Sequence, residues 1–442
     1  MSIWLKPLID DLKGADVGIV VADENQNKLI EINPDNPFIP ASNMKLFTAA
    51  AALLYLRPNF RYFTGIYYTG SLDGGTLKGN IVVRGSGDPL LKSTDIDKVS
   101  IKLSRVLKQV KGNIIVDTSV FDREFVNKRW DENYLQHPYA PRVSALTVNE
   151  GCINIIVQPT QPGEKPLLEI HPIQDEIRII NKAITVKKGF ATKINVTKKK
   201  GENVFIVEGT IEEDAYPVDV KKPIENPHLY TGSLFKSGLI KNGVSVEGNV
   251  EEGFLEDGVL LDYIVSNPLT EIVKKLLKHS DNLVAECLLK TMGYYRYGKG
   301  SWANGINCLK RTLGDIGLNL DDDNIRIFDG SGLSKSNKLT PWKIVELLLA
   351  MRKSSLFKYF YNALPVAGVD GTLRKRMRNT PAERRVIAKT GTLSNACTLS
   401  GYIKTLSGRE LVFSIMVNNF EIPIEDVRKI IDKICVNIVK KY

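Results

Sequence analysis

The sequence has few residues of the kinds that bind metals or form disulfide frameworks. Among 442 residues there are only five cysteines and four histidines. The cysteines are scattered without a Cys-x-x-Cys pair, and the histidines lack the spacing of metal ligands. We therefore expect no metal site, no cofactor and no disulfide framework. Most of the cysteines lie in apolar contexts and are expected to be buried thiols; the five are Cys152, Cys287, Cys308, Cys397 and Cys435.

Long apolar runs are also missing. No segment approaches the ~20 residues needed to cross a bilayer. Residues 1–6 lack the apolar core of a signal peptide. This pattern favours either a cytoplasmic protein or an exported protein whose export signal has been removed. The content of 43% hydrophobic and 25% charged residues excludes disordered and fibrous proteins and is typical of a globular chain with two or three domains.

Negative charge is in the minority. Lysine and arginine number 60 against 50 acidic residues, which gives a net charge of +10. Such an excess favours an anionic neighbourhood, for example a polyanionic wall or a membrane surface. The lysines are spread along the chain and no aromatic residues interleave with basic runs, so we expect no nucleic-acid partner.

The segment at residues 40–56 predicts a helix that begins with a serine and a lysine. Pro40 blocks helical conformation in the residue before it, and alanine and leucine dominate from Thr48 onward. Ser42 would lie where free backbone N–H groups and the helix dipole favour negative charge. Lys45 follows one turn later on the same face. The pair predicts a nucleophilic serine with its base.

Ser-x-x-Lys alone carries little information. The same spacing occurs at Ser233 with Lys236 and at Ser355 with Lys358. An N-cap serine followed by a solvated lysine is the ordinary explanation of a single copy. The first copy is distinguished by two further motifs that occur later in the chain.

These two motifs occur in a fixed order. S-D-N at 280–282 lies between an amphipathic run at 269–278 and a helical run at 283–292, so we expect it in a turn between helices. K-T-G at 389–391 follows the β-branched run at 385–388, so we expect it on a strand at a sheet edge. The set is similar to the motifs of class A β-lactamases and penicillin-binding proteins.

Each of these residue types suits acyl transfer. Lys45 can act as a base only when neutral, and desolvation beside a second cation, Lys389, would lower its pKa. Ser280 can relay a proton between the lysines and the leaving amine. Asn282 offers an acceptor for Lys45 and a donor for a substrate amide. We predict that these residues form the catalytic site around Ser42.

The K-T-G strand is also the predicted substrate-binding edge. Thr390 and Thr392 can bind a terminal carboxylate beside the charge of Lys389, with Gly391 between them. If the edge faces Ser42, the backbone N–H groups of Ser42 and Thr392 would form an oxyanion hole. Together these groups predict acyl-transfer chemistry.

The pattern along the chain predicts an α+β fold with nested insertions. Residues 1–60 and 264–442 would form the catalytic domain, with strands from both ends of the chain in one antiparallel sheet. Residues 61–159 and 227–263 mix strands and helices and predict an inserted α/β domain. Residues 160–226 alternate with period two and predict a β-rich subdomain. The helices expected outside the motifs are residues 3–12, 96–110, 228–241, 302–313 and 423–441. A strand is expected at 244–251, after the helix at 228–241.

Over nearly its whole length the chain resembles the class C low-molecular-mass penicillin-binding proteins of the D-alanyl-D-alanine carboxypeptidase/endopeptidase family. Further matching segments are residues 84–89, 144–146, 329–334, 364–368 and 400–402. The resemblance implies a penicillin-binding/β-lactamase-like transpeptidase domain, an antiparallel sheet with helices on both faces. In that family two domains are inserted between the first two motifs, and in this chain more than half of the residues separate Ser42 from Ser280.

The resemblance implies a serine-type D-Ala-D-Ala carboxypeptidase that acts on peptidoglycan stem peptides and is acylated by β-lactam antibiotics. Cleavage of D,D cross-links is a further activity of the family and stays open for this sequence. Ser42 would be the acylated nucleophile and Lys45 its base, with Ser280, Asn282 and Lys389 completing the site. The resemblance also implies a periplasmic or extracytoplasmic location.

The resemblance also implies a pocket that binds the side chain of the third residue of the stem peptide. Lys335 occupies the position at which arginine is usual, which would replace a bidentate grip by a point charge. Tyr139 could line the same pocket. The resemblance also implies an acidic residue that acts with this basic one. Asp131 and Glu132 lie near the stretch that would supply it, and the sequence does not decide between them.

One alternative is a class A-like β-lactamase, which adds a glutamate that activates water. Residues 315–319 resemble that segment faintly. Gly314 and Gly317 are typical stop signals, so we interpret this segment as the end of a helix. The size of the insertion also argues against a stand-alone lactamase.

A second alternative is a protein that binds muropeptides or β-lactams without catalysis. Degenerate sites of this kind usually lack the serine or the lysine. In this sequence all polar motif positions are intact, which favours the enzyme.

Overall fold

The structure, a computed structural model, describes residues 3–172, 174 and 176–442. Within these residues no helix combines the length and the apolarity required to cross a bilayer. The helices are α1 (Lys6–Asp10), α2 (Met44–Leu56), α3 (Ser93–Leu103), α4 (Pro227–Lys241), α5 (Leu269–His279), α6 (Asn282–Tyr297), α7 (Trp302–Gly314), α8 (Pro341–Lys353), α9 (Phe357–Ala363) and α10 (Ile424–Lys441). The strands are β1 (Asp16–Ala22), β2 (Lys28–Ile32), β3 (Phe63–Tyr68), β4 (Ser71–Asp73), β5 (Thr76–Lys78), β6 (Ile81–Arg84), β7 (Gln109–Val110), β8 (Ile114–Asp117), β9 (Cys152–Gln158), β10 (Leu167–His171), β11 (Arg178–Asn181), β12 (Ile184–Val186), β13 (Lys193–Lys198), β14 (Val204–Glu212), β15 (Val218–Pro223), β16 (Ser245–Val246), β17 (Val250–Gly253), β18 (Val259–Val265), β19 (Val386–Leu393), β20 (Ala396–Lys404) and β21 (Glu410–Asn418).

The chain divides into two compact units. The first contains Met1–Arg61, Asn127–Trp130 and Asn267–Tyr442, and the second contains Tyr62–Val126 and Asp131–Ser266. The chain therefore leaves the first unit after the first motif, returns to it briefly at Asn127–Trp130, and rejoins it before the second motif.

The first unit is built on one antiparallel sheet with the strand order β19-β20-β21-β1-β2. Strand β1 from the start of the chain pairs with β21 near its end, with Ile19 opposite Ile415. Helix α10 packs on β20, and α8 packs on β21 and β1. Strand β20 is buried from Ala396 to Ile403, as expected for a strand that is covered on both faces. The predicted sheet of N-terminal and C-terminal strands is confirmed.

Helix α2 is the buried centre of the helical part of this unit. A 3-10 turn at Ala41–Asn43 precedes it, so the predicted helix start near Ser42 is confirmed. Every residue from Met44 to Leu53 is buried, and α2 packs against α5, α6 and α7. A helix that is apolar on all sides is stable only inside a core. The serine of the first motif thus projects from an element that is held on all sides.

The second unit contains the remaining sheets. Its five-stranded sheet has the order β17-β8-β6-β3-β18, and a four-stranded sheet has the order β16-β7-β5-β4. Strands β10, β9 and β15 form a third sheet, and β11, β14, β12 and β13 form a fourth. One apolar cluster includes both Phe235 of α4 and Phe205 of β14. The division of this unit into an α/β domain and a β-rich subdomain at 160–226 stays a prediction.

Three predicted elements differ from the structure. The helix expected at 96–110 ends at Leu103, because the chain then turns and β7 pairs in parallel with β5. The helix expected at 3–12 is the shorter α1. One strand predicted at 244–251 is instead the two short strands β16 and β17. In the first and third cases pairing with distant strands overrides the local pattern.

Candidate active site

The first and second motifs meet at the side chain of Lys45. Its Nζ atom donates to Ser42 Oγ at 2.9 Å, to Asn282 Oδ1 at 2.6 Å and to the backbone oxygen of Ser331 at 2.7 Å. Lys45 is fully buried. All three donor positions of the ammonium group are therefore used, which fixes its place beside the serine hydroxyl.

The S-D-N motif forms the predicted turn between two helices. Ser280 ends α5 in the left-handed conformation with φ +60°, a conformation that costs a non-glycine residue free energy and is kept only where the surroundings require it. Asp281 caps α6 by accepting a hydrogen bond from the backbone N–H of Val284 at 3.1 Å. Asn282 is then the first residue of α6. The turn presents Ser280 and Asn282 to the two lysines of the site.

The K-T-G motif lies on β19, the edge strand of the sheet, as predicted. Lys389 is fully buried, and its Nζ atom donates to Ser280 Oγ at 2.9 Å and to the backbone oxygen of Thr390 at 2.7 Å. A Cβ atom at Gly391 would lie 2.2 Å from Thr398 Oγ1 and 3.0 Å from the backbone nitrogen of Ser42. The strand thus passes the nucleophile helix so closely that only glycine fits.

Burial shifts the pKa of both lysines downward. It lowers the pKa of Lys45 to about 8, although Asp329, Glu286 and Asp281 act in the opposite direction. Burial and the neighbouring charge of Lys45 hold the pKa of Lys389 well below its usual range. With a pKa of about 8, Lys45 is neutral for part of the time near neutral pH, which a general base requires.

Glu286 was missed by the sequence interpretation. It lies one turn after Asn282 on α6 and is fully buried. Its carboxylate accepts from the backbone N–H groups of Gly330 at 3.0 Å and Ser331 at 2.8 Å, and from the indole N–H of Trp302 at 2.8 Å. Burial, followed by the charge of Asp329, raises its pKa to about 7. The sequence feature that could have identified this residue is a single carboxylate within the otherwise apolar run at 283–289.

The loop at 329–334 is shaped by a second buried carboxylate, Asp329. It accepts from the backbone N–H groups of Gly332 at 2.8 Å and Ser334 at 2.7 Å, and from the side-chain amide of Asn337 at 2.8 Å. These bonds hold the loop in the form in which the oxygen of Ser331 accepts from Lys45. The segment contributes to the family resemblance, but no role was predicted for its residues from the sequence.

The motif residues open into a cleft of about 510 Å³. Thr390 Oγ1 donates to Thr372 Oγ1 at 2.8 Å, and Arg428 Nη2 donates to Thr392 Oγ1 at 3.3 Å. Thr372 and Arg428 belong to segments without a motif, so no local pattern pointed to them. The residues that line the cleft are Ser42, Ser280, Thr372, Lys375, Arg376, Thr390, Thr392, Glu425 and Arg428.

Three predicted substrate-binding residues, Gly391, Lys335 and Tyr139, are not among the residues that line the cleft. Lys335 is exposed and directly follows the Asp329 loop. Tyr139 belongs to the second unit, is 45% exposed and stacks on His137 with 5.1 Å between ring centroids. Of the two acidic candidates, Asp131 accepts from the backbone N–H of Asn133 at 3.0 Å and Glu132 pairs with Lys200 at 2.8 Å. Their roles stay predictions.

Two further expectations concern metals and the lactamase alternative. Within the described part of the chain, no three His, Cys, Asp or Glu side chains are grouped so that they could hold a metal ion. Helix α7 ends at Gly314, and Gly317 has φ +86°. Residues 315–319 therefore form a helix end, as interpreted from the sequence.

Comparison with protein families and curated sequences gives a consistent match. The model of the D-Ala-D-Ala carboxypeptidase 3 (S13) family matches residues 5–440. A D-alanyl-D-alanine carboxypeptidase of an Actinomadura species is 33% identical over 93% of this chain and 79% of its own length. The D-alanyl-D-alanine carboxypeptidase DacB of Haemophilus influenzae is 27% identical over 92% of this chain and 86% of its own length.

Solved structures agree with the sequence comparisons. Penicillin binding protein 4 from Haemophilus influenzae superposes with a TM-score of 0.88 at 25% identity and covers 99% of this chain and all of its own. The same protein in complex with a β-lactam gives a TM-score of 0.83 at 25% identity, with the same coverage. A peptidoglycan endopeptidase from Bdellovibrio bacteriovorus shares the fold at 16% identity and a TM-score of 0.53, over 96% of this chain and 92% of its own.

Proposed function

Because the chain belongs to the D-Ala-D-Ala carboxypeptidase 3 (S13) family and is a serine-type D-Ala-D-Ala carboxypeptidase, we propose that Ser42 is the residue that its substrates acylate. The supporting observation is the 2.9 Å hydrogen bond between Ser42 Oγ and Lys45 Nζ, with the lysine anchored by two further acceptors. The substrates are peptidoglycan stem peptides, and β-lactams acylate the same hydroxyl.

In the acylation step, neutral Lys45 takes the proton of Ser42 while Oγ attacks the carbonyl carbon of the penultimate D-alanine. The tetrahedral intermediate carries its negative charge on the former carbonyl oxygen. When it collapses, the bond to the terminal D-alanine breaks and the leaving amine takes up a proton. Ser280 is the relay for this proton, which Lys389 supports through its 2.9 Å hydrogen bond to the Ser280 hydroxyl.

The proposed oxyanion hole consists of the backbone N–H groups of Ser42 and Thr392. Support comes from the close approach of β19 to the start of the nucleophile helix, where Gly391 leaves no room for a side chain beside the nitrogen of Ser42. Backbone N–H groups that are fixed in this way stabilise negative charge without reorganisation during the reaction. Water then hydrolyses the acyl-enzyme and restores the Ser42 hydroxyl.

Substrate binding is proposed along the same strand. Thr390, Gly391 and Thr392 would align the terminal D-alanine and its carboxylate. Lys335 would contact the side chain of the third residue of the stem peptide, as a point charge for a carboxylate. The predicted substrate contact of Tyr139, which belongs to the second unit, is a separate proposal. The exposed positions of both side chains are compatible with contact to a solvated peptide.

The proposed location is the extracytoplasmic space, where the peptidoglycan lies. The net charge of +10 supports an anionic wall or membrane surface as a neighbour. We expect an antibody to detect the protein in the cell-envelope fraction of the native organism and not in the cytosol.

The endopeptidase activity that the family also contains is a separate question. Cleavage of isolated D,D cross-linked dimers by the purified protein tests it.

The nucleophile is tested by brief exposure to a β-lactam followed by peptide mapping with mass spectrometry. We expect the adduct on the peptide that contains Ser42, and neither an adduct nor D-alanine release in Ser42→Ala. Ser355→Ala is the matched control, because Ser355 and Lys358 have the same spacing and Ser355 is exposed. D-alanine release by Ser42→Ala at the wild-type rate would refute the assignment.

The same reagents separate the two alternatives. Sustained, fast hydrolysis of penicillin would favour a β-lactamase, whereas a single stoichiometric acylation with slow turnover supports the carboxypeptidase. Penicillin binding without a covalent adduct would favour a non-catalytic binding protein. The buried contacts of both lysines support catalysis, since a mere binding site has no need for two desolvated ammonium groups.

A further inference from the structure

The predicted cation for the substrate carboxylate was Lys389, and its surroundings make it a poor ligand. Its side chain is fully buried and donates to Ser280 Oγ and the oxygen of Thr390. The low pKa that burial and Lys45 impose on it reduces its charge further. A carboxylate in the open cleft therefore needs another partner.

Arg428 is such a partner. It lies on α10, lines the cleft, and its side chain is 31% exposed. Nη2 donates to Thr392 Oγ1 at 3.3 Å, and Nη1 donates to Glu425. A guanidinium group has five donors in a planar fork and keeps its charge at every physiological pH. After these two contacts it still has donors for a carboxylate at Thr392.

The neighbouring cations are less suited to this role. Arg376 already binds Asp432 through Nε at 3.1 Å and Nη2 at 2.7 Å. Its Nη2 also donates to the backbone oxygen of Arg428 at 3.4 Å, which supports α10 at this point. Lys375 lines the cleft and is exposed, so it carries a mobile point charge on a flexible stem.

We propose that Arg428 determines specificity by binding, together with Thr392, the free carboxylate of the amino acid that leaves during acylation. The inference rests on the proposed role of Ser42 and names the residue that enforces a carboxypeptidase's requirement for a carboxylate on the leaving group. Peptides that end in a free D-alanine carboxylate meet this requirement, and so do cross-links whose leaving residue keeps a carboxylate beside the cleaved amine. Peptides with that carboxylate amidated do not.

The test uses two diacyl-D-Ala-D-Ala peptides that differ only in a terminal carboxylate or carboxamide. The measured quantity is the ratio of their kcat/KM values. We expect wild type to prefer the carboxylate peptide. In Arg428→Ala the ratio should fall by about 10- to 100-fold, which is the effect of losing a charge-assisted hydrogen bond. The rate on the carboxamide should change by less than about 3-fold, since that substrate has no charge for Arg428 to bind. Arg428→Lys should restore part of the ratio.

Three comparison variants complete the design. Arg378→Ala removes an exposed arginine outside the set of cleft-lining residues and should keep the wild-type ratio. Lys375→Ala should also keep it. Glu425→Gln removes the anion that competes for the guanidinium, and we expect it to raise the ratio by a few-fold. This last variant tests the proposal even if Arg428→Ala fails to fold.

The opposite outcomes are distinct. The proposal is overturned if Arg428→Ala keeps the wild-type ratio, or if its kcat/KM falls equally on both peptides. Equal losses would show that Arg428 has only a structural role. Loss of the ratio in Lys375→Ala instead of Arg428→Ala overturns it as well. Failure of the underlying function would be seen earlier, as absence of D-alanine release or of the Ser42 adduct in wild type.

Discussion

The Nζ atom of Lys45 lies 2.6 Å from Oδ1 of Asn282, although 237 positions of the chain separate the two residues. This contact joins the nucleophile helix to the turn of the second motif. It also means that a neutral amide, and not a carboxylate, holds the proposed base. An amide fixes the ammonium group without the charge that would raise its pKa.

The pH dependence of acylation follows from the pKa of Lys45. Burial lowers that pKa to about 8, and only the neutral amine accepts a proton. Acylation by a β-lactam should therefore accelerate as pH rises, with a midpoint near 8. At pH 7 such a lysine is neutral about 9% of the time, about 300-fold more than an ordinary lysine. Stopped-flow acylation rates between pH 5 and 10 test this, and a flat profile would contradict it.

Replacement of Asn282 by aspartate should move this profile. The side chain keeps its size, but its charge beside Nζ raises the pKa of Lys45 by about 1–3 units. We expect acylation at pH 7 to fall by about tenfold or more and the rising limb to shift to higher pH. Asn319→Asp, at an exposed position of the same unit, is the control. A lower rate with an unmoved midpoint would argue that Asn282 acts in another way.

Glu286 offers a second test of how Lys45 is positioned. In Glu286→Gln an N–H₂ group replaces one carboxylate oxygen, so at least one of the three donors that now bind Glu286 loses its acceptor. We expect a loss of about 1–3 kcal/mol in the free energy of unfolding. The midpoint of the pH profile should also fall, because the charge of Glu286 raises the pKa of Lys45.

Urea unfolding and the pH profile are measured on the same Glu286 variants. Glu286→Asp keeps the charge and should leave the midpoint near that of wild type, even if the shorter side chain weakens the hydrogen bonds. If Glu286→Gln destabilises the protein but does not move the midpoint, the carboxylate supports the loop without influencing the base.

Gly391 should tolerate no side chain. In Gly391→Ala the new Cβ atom would meet Thr398 Oγ1 and the backbone nitrogen of Ser42, so β19 must move away from the nucleophile. We expect acylation to fall by about 100-fold or more, since removal of one oxyanion-hole donor has an effect of that size. Gly314→Ala is the matched control because a Cβ there meets no atom within 4 Å. Unchanged acylation in Gly391→Ala would argue against the proposed oxyanion hole.

The motif residues could be predicted because their local patterns are strong. Alanine and leucine after Pro40 define the nucleophile helix, and the S-D-N turn is flanked by two clear helical runs. The β-branched residues before Lys389 mark its strand. The fixed order of the motifs then indicated that they meet, although no single pattern contains a distance.

Glu286, Thr372 and Arg428 could not be predicted in the same way. Their importance arises from contacts between segments that are far apart in the chain, such as α10 with β19 at Thr392. A glutamate in an apolar helix or an arginine on an amphipathic one has the same local pattern whether or not a partner lies opposite. The length of α3 was misjudged for a related reason, since the pairing of β7 with β5 is not encoded locally.

The position of β1 between β2 and β21 has a consequence for biosynthesis. The ribosome makes Ser42 early, but the neighbour that β1 needs on its other edge emerges only near the end of translation. Closing so long a loop costs entropy that is recovered only when the whole sheet forms. An incompletely synthesised peptidase should therefore have no activity. Activity should appear only after β21 has been made and the whole sheet has formed.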